Sequence, residues 1–380
     1  MHEHKHNQCK RKVKHRKNVM KLIIFCITVG ISLMFIYYQN LRKEIDARQK
    51  WLETVLTGEK KWILENQGPE GEFYMNGSKA GDVNPYFACM AALGLLAETK
   101  NCLITETEKK AVNRYLDWHT GILLETDGKM GIYRKESGKL IYKEKADSED
   151  GYLGMYLFLM GKYLEKTEST DLSEYWKKGI SLALKKIQSL MQDGITQVSE
   201  ENTTVYLMDN LEVWKGLYEL EHAGLKDMPV VSEMRKKLQA QIEKLFWDDA
   251  NQRWRIIENS DLYHQKEFYP DGVAQIYPLI YEFPVKEKKK QKILYEQFTE
   301  RFQWQKLNKK RNGFLWAMAG MAAAQMGDIN NLLEMIRNYE AEYCENRKYP
   351  LYTGEAGWIC MECEKLYSLY ERKIKTGFLV

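Results

Sequence analysis

Proline is scarce in this chain, seven among 380 residues, which excludes a Pro-rich linker protein and a collagen-like repeat. Histidine and cysteine are just as few, seven each. An odd handful of scattered cysteines builds no disulfide framework in a chain of this length. Nor does one sign of charge dominate: 57 basic residues stand against 53 acidic, a net of +4. That balance excludes a nucleic-acid wrapper, so no nucleic-acid partner is expected. A glycine-rich phosphate loop, HExxH and GxSxG are all missing, which leaves nucleotide chemistry without support. No cofactor and no resident metal are expected. What the chain does have is aromatic side chains, 12% of residues with 24 Tyr and 10 Trp, a supply suited to core packing and to flat, partly polar ligands.

The small net charge hides a segregated N-terminus. Residues 1–21 carry eight Lys and Arg against Glu3 alone, and an apolar run follows from Leu22 to Tyr38. With Val19 and Met20 the run reaches about 20 residues, enough to cross about 30 Å of hydrocarbon. Tyr37 and Tyr38 sit where an interfacial aromatic belt lies, and the basic flank is expected to stay in the cytoplasm. The reading is a cytoplasmic tail over 1–21, a single-pass anchor over 22–38 and a globular part outside the cell. A cleaved signal peptide competes, but no small-x-small site follows the run, and the run is long for such a signal. His2, His4 and His6 belong to the tail. Cys360-Met-Glu-Cys363 has metal-site spacing, yet it lies in an apolar helical pattern with no second pair, so packing is expected of it.

Past residue 45 one pattern recurs six times. A charged amphipathic helix leads into a stretch rich in Gly, Asp and Asn, and then into a helix apolar almost all round. The outer members are expected at 51–65, 109–124, 175–191, 232–246, 286–302 and 330–343. The inner ones are expected at 85–96, 152–160, 209–217, 271–279, 314–324 and 355–361. The inner helices recur about 40 to 65 residues apart, a helical-repeat period. A helix apolar on all sides must be buried, and one with a charged face must lie outside. Six of each, alternating, predict a ring: an all-α (α/α)6 toroid over residues 45–375, with an open superhelix as the alternative.

In such a ring the long loops feed the N-termini of the inner helices, which meet at one mouth. Acids and amides crowd there: Asp82, Asn84, Asp147, Glu149, Asp150, Asp209, Asn210, Asp271 and Glu355. Each singly is explained as a helix cap or a partner for the positive helix end. Several around one cleft raise one another's pKa, which costs stability unless a site uses it. Paired carboxyls across an aromatic-lined cleft suit glycosidic cleavage, one donating a proton and the other activating water or attacking the sugar carbon. Candidate sugar-stacking rings are Tyr86, Tyr133, Tyr206, Tyr269 and Trp316, with Tyr74, Tyr152, Tyr263 and Trp358 behind them.

Three stretches resemble glycoside hydrolase family 8, one of the six-hairpin glycosidases, and the general resemblance covers residues 45–370. Asp147-Ser-Glu149-Asp150-Gly-Tyr is similar to that family's acid-rich lead into its second inner helix. The resemblance implies that Asp150, or Asp147, positions the sugar. Phe268-Tyr-Pro-Asp271-Gly-Val is similar to the stretch whose aspartate serves as general base in an inverting mechanism, which implies Asp271 for that role. At the first inner helix the family's general acid is a glutamate, where this chain has Asn84. An amide donates no catalytic proton, so Asp82, two residues upstream, is the substitute acid.

The leading expectation is a membrane-anchored, extracytoplasmic glycoside hydrolase, endo-acting and inverting, on a polysaccharide. The alternative is an inactive toroid that binds polysaccharide and assists a synthase or export complex, favoured by Asn84 at the acid position. A third option, action on uronic-acid polymers, would call on His119 or His264, and Arg134, Lys266 and Arg311 are the basic residues that could meet an acidic sugar.

Overall fold

The computed structural model describes residues 2–77, 81–136, 139–169, 172–224, 229–258, 260, 267–307 and 313–376. Tyr263, His264, Lys266 and Arg311 lie outside the described residues. The chain divides into two compact units, Met1–Leu52 with Arg372–Val380, and Glu53–Glu371.

In the first unit, helix α1 begins at His2 and runs to Glu65, crossing into the second unit. From Ile23 it contains an 18-residue window of mean hydropathy 1.6, none of it buried. By length and composition this helix is long and apolar enough to cross a membrane. Thr28, one of the polar interruptions, donates its hydroxyl to the Ile24 carbonyl one turn back at 2.9 Å, which satisfies the group inside its own helix.

The second unit is the six-hairpin ring. Its outer helices are the end of α1, α3 (Glu106–Glu125), α5 (Glu174–Leu190), α7 (Pro229–Phe246), α9 (Lys288–Phe302) and α11 (Ile329–Tyr339). The inner ones are α2 (Pro85–Leu95), α4 (Glu149–Thr167), α6 (Leu207–His222), α8 (Val273–Ile280), α10 (Ala319–Met326) and α12 (Thr353–Thr376). Burial follows the two patterns. On α5 only Trp176, Gly179, Ile180, Ala183, Leu184, Ile187 and Leu190 are buried, a 3.6-residue stripe, whereas α4 is buried almost continuously from Glu149 to Leu164. Side-chain caps start many of the helices: Asn84 for α2, Thr105 with Glu108 as a capping box for α3, Ser148 for α4, Ser173 for α5 and Asp328 for α11.

The inner helices pack in order, α2 on α4, α4 on α6, α6 on α8 and α8 on α10. Closure needs α12 against α2, and glycines permit it. A Cβ on Gly357 would lie 2.1 Å from the Met90 carbonyl oxygen, and one on Gly94 would lie 2.5 Å from the Gly357 Cα. The α4–α6 seam is built the same way: a Cβ on Gly216 would lie 2.3 Å from the Gly154 carbonyl oxygen, and one on Gly154 2.7 Å from the Val213 nitrogen. The ring is therefore a closed (α/α)6 toroid, as the hydropathy pattern predicts, and not an open superhelix.

Two inner segments start later than the pattern predicts. Residues Phe268–Gly272 form a π-helical turn ahead of α8. Phe314–Met318 stay outside α10, because Trp316 takes a left-handed φ of 59° that breaks a helix at a bulky residue. Among the loops, β1 (Asp82–Val83), β2 (Gly131–Glu136) and β3 (Lys139–Lys145) form a three-stranded antiparallel sheet in the order β1-β2-β3, with Asp82 opposite Arg134.

Because the seams bring backbone against backbone, Gly357→Val and Gly154→Val are expected to destabilise the protein by about 1–3 kcal/mol or more. Gly58→Ala, at a helical glycine with nothing within 4 Å, is expected to stabilise it by up to about 1 kcal/mol. Thermal and chemical unfolding of the three variants measures both.

Candidate functional site

The inner helices deliver their N-terminal residues, and the loops ahead of them, to one cavity of about 590 Å³. Its wall draws on Asn84, Tyr86 and Phe87 at the start of α2, and on Asp147, Ser148 and Tyr152 around the start of α4. Met208, Asp209 and Glu212 of α6, Tyr277 of α8, Phe314, Trp316 and Met318 ahead of α10, and Glu355 and Trp358 of α12 complete it. Asp82, Ile132, Glu144 and Lys145 of the small sheet and Tyr269 of the π turn also contribute.

Of the sequence-predicted residues, the ring brings Asp82, Asn84, Tyr86, Asp147, Asp209, Tyr269, Trp316 and Glu355 together on that wall. Six others are not among the lining residues, of which Asn210 is fully buried with its carboxamide on the Thr196 backbone. Asp271 is buried in the π turn, and its backbone carbonyl accepts from Gln275. Asp150 is fully buried behind the wall, its carboxylate accepting from Ser148 at 2.8 Å and Thr196 at 2.7 Å. Glu149 pairs with Lys145 at 3.3 Å. Tyr133 is buried edge-on between Trp118 and the exposed Tyr142, and Tyr206 joins Ile257 in a β-bridge. Among the second-rank rings, Tyr152 and Trp358 line the cavity, while Tyr74 is buried with its hydroxyl on Glu72 at 2.9 Å. His119 is likewise a core residue, enclosed by Cys89, Tyr115 and Tyr156, and burial drives its ring pKa down to about 3. Cys360 and Cys363 are buried packing residues of α12.

Asp82 is placed at the wall but its setting opposes a proton donor's role. It accepts from Arg134 at 2.6 Å and from Lys143 at 2.7 Å. The Arg134 hydrogen bond, seconded by Lys143, holds its carboxyl below the usual aspartate range, so it stays ionised. Asn84 caps α2 by accepting from the Tyr86 N–H at 2.9 Å, so that side chain orients the wall and supplies no acid.

The carboxyl that reading by motif passes over is Glu212. It lies three residues after Asp209 on α6, on the same helical face, and is 3% exposed. Its Oε1 accepts from the hydroxyls of Tyr86, Tyr277 (2.6 Å) and Tyr281 (3.3 Å). Burial pushes its pKa up to about 7 against the pull of those phenols. The available signal was a glutamate inside a helix otherwise destined for the core, where a charge must find partners.

Glu355 is the second such group. Its Oε1 accepts from the backbone N–H of Leu315 and of Trp316, both at 3.1 Å, and its Oε2 from that of Ala317 at 2.9 Å. Burial again lifts the carboxyl to about 7, opposed by the three amides. The same bonds fix the left-handed turn at Trp316, a backbone state that costs on the order of 1–3 kcal/mol and must be held by its surroundings. The turn lays the Trp316 ring against Tyr269, centroids 4.9 Å apart and 32° from parallel. Asp209 completes the set: burial, then its neighbours Asp150 and Glu212, drive its carboxyl well up. Chemically the cavity offers carboxyls that exchange protons near neutral pH beside a broad aromatic face, the equipment of acid–base work on a polyol.

Glu212 and Glu355 bind a proton more tightly in the folded chain than the usual glutamate value of 4.5 allows in the unfolded one. The stability they contribute is thus fully present below pH 4.5 and lost as pH rises through about 7. Glu212→Gln, a neutral isostere, is expected to lose less stability than wild type between about pH 5 and 8, by on the order of 2–3 kcal/mol. Thermal unfolding across that range checks the sign, and a pH-independent difference between the two proteins contradicts it.

No known family profile matches the sequence, and no curated protein does. Solved structures are similar in fold. A glycosidase matches with a TM-score of 0.62 at 12% identity, covering 85% of this chain and 98% of its own. A D-mannose isomerase matches at 0.57 and 12% identity, covering 84% and 97%. The GH76 α-mannanase of Bacteroides thetaiotaomicron matches at 0.51 and 11%, covering 86% and 97%. At such identities the likeness establishes the shared (α/α)6 toroid alone.

Proposed function

We propose that the protein is a membrane-anchored glycoside hydrolase whose toroid acts on a polysaccharide outside the cytoplasm, with Glu212 and Glu355 as its paired carboxyls. One observation carries the reading: two buried glutamates, each held by three hydrogen bonds and each lifted to about 7, line one aromatic-walled cavity. Glycosidic cleavage needs one carboxyl able to donate and one able to accept a proton at working pH. The tilted Tyr269–Trp316 pair offers sugar rings a stacking surface. Names borne by neighbours of the same fold, a glycosidase and an α-mannanase, support a carbohydrate substrate.

This assignment departs from the roles that the family 8 resemblance implies. Asp82 serves as an ionised, Arg134-paired wall residue, and Asp271 as a buried support of the turn that carries Tyr269. The partition proposed for the chain is a cytoplasmic tail over 1–21, an anchor over 22–38 and the toroid over 45–375. Such an anchor would keep the enzyme beside polymer leaving a synthase or exporter in the same membrane. A binding-only toroid is the second reading, favoured by Asn84, whose amide caps a helix where an acid was expected.

Reducing-end release from a panel of β-glucans and exopolysaccharides tests the activity. Glu212→Gln and Glu355→Gln are each expected to lower it by about 10²–10⁴-fold, while Asp271→Asn keeps turnover. Saturable glycan binding by wild type with no release selects the binding-only reading.

Localisation has its own measurement. The full-length chain is expected in the carbonate-resistant membrane fraction, and protease added to intact cells is expected to digest the toroid. A soluble chain, or a toroid protected until lysis, overturns the anchor or its orientation.

A further inference from the structure

Glu212 is held in a lopsided way that Glu355 is not. All of its hydrogen bonds fall on Oε1, from Tyr86 of α2, from Tyr277 of α8 and from Tyr281 just past its end, while Oε2 accepts none among the described residues. On Glu355 both oxygens are occupied by backbone amides. Tyr86 and Tyr277 also touch, hydroxyl to hydroxyl, at 3.3 Å, so the phenols form a joined set that reaches α6 from its neighbour α8 and from α2 beyond α4. A phenol that donates to one carboxylate oxygen favours the ionised form and leaves an incoming proton the other oxygen.

We propose that Tyr86 and Tyr277 are positioning residues that hold Glu212 as the site's general base, with Oε2 as the oxygen that takes the proton from water or a sugar hydroxyl. The inference rests on the glycosidase reading for its reaction, but the proton-holding device is a property of the free protein. In the step, the O–H bond breaks, its proton joins Oε2, and the electron pair stays on the oxygen of the nucleophile. Tyr86 and Tyr277 keep their own protons: burial, followed by the nearby Glu212 charge, places both well above the ordinary tyrosine value.

The other titratable groups around Glu212 press the opposite way. Asp150 of α4 raises its pKa, and Asp209, one turn back on α6, faces it as a second carboxyl. Tyr152 of α4 and Tyr269 of the π turn are neutral phenols within its field. Lys215, the next cation along α6, is committed to Glu219 at 2.7 Å and Glu282 at 2.9 Å. No ion pair to Glu212 occurs among the described residues, so the phenols are what oppose its protonation.

The test uses the full-length chain in detergent, labelled with [13Cδ]glutamate, with the Glu212 resonance identified by its loss in Glu212→Gln. Removing a hydrogen bond to the ionised form raises the carboxyl's midpoint. Tyr277→Phe is expected to move it up by about one pH unit, the equivalent of about 1.4 kcal/mol. Tyr281→Phe, which removes the longer bond, is expected to move it less, and Tyr86→Phe, at the half-buried cavity wall, gives an independent shift should Tyr277→Phe fail to fold. An unchanged midpoint in the folded variants overturns the proposal. Where hydrolysis is measurable, the acidic limb of the kcat/KM profile is expected to follow the NMR midpoint. A shifted midpoint without hydrolysis sinks the glycosidase reading and leaves the proton-holding device standing, whereas hydrolysis with an unmoved midpoint does the reverse.

Discussion

Gly154 and Gly216 let the backbones of α4 and α6 touch, and Gly94 and Gly357 do the same for α2 and α12. The site depends on this approach. Tyr86 of α2 and Tyr277 of α8 reach one carboxylate oxygen on α6 only because the inner helices stand close enough for a phenol to span between them. Side chains at the seams would push the ring wider, and hydrogen bonds of about 2.6–2.8 Å do not stretch far before they weaken. Packing density and proton affinity are thus one problem in this protein.

Carboxyls in this ring are held in two ways. Further along the inner helices, Lys215 is matched by Glu219 and Glu282, Lys365 by Glu282, and Lys166 by Glu98 and Glu364. Coulombic attraction there pulls the Glu282 carboxyl down to about 2, against its burial. At the N-terminal mouth, Glu212 and Glu355 are given hydroxyls and amides in place of cations. Hydrogen bonds offset part of the desolvation penalty and leave the rest as a raised pKa. Cation pairing holds a carboxyl ionised, whereas hydroxyl and amide donors leave it able to titrate.

Trp316 shows a similar economy of parts. A bulky residue in a left-handed conformation needs support, and the carboxylate of Glu355 provides it through three consecutive N–H groups. The same carboxylate lines the cavity, so the acid and the aromatic platform are placed by a single set of bonds. Altering one disturbs the other, which couples chemistry to recognition at this corner of the mouth.

Much of this was legible in the order of residues. Alternation between stripes such as that of α5 and the all-round apolarity of α4 determined six hairpins, because burial of a fully apolar helix has no other solution. The apolar run after the basic tail determined a helix able to cross a membrane, and the crowding of Asp82, Asp147, Asp209 and Glu355 near helix starts determined which end of the ring would carry the acids. Tertiary structure alone decided what each acid does. A carboxyl's proton affinity is set by partners far away in sequence: Arg134 for Asp82, Tyr277 for Glu212, the 315–317 backbone for Glu355. It also decided that Asp271 turns into the protein and Glu212 toward the cavity, since helix rotation and loop length, not residue type, choose which side chains share a space.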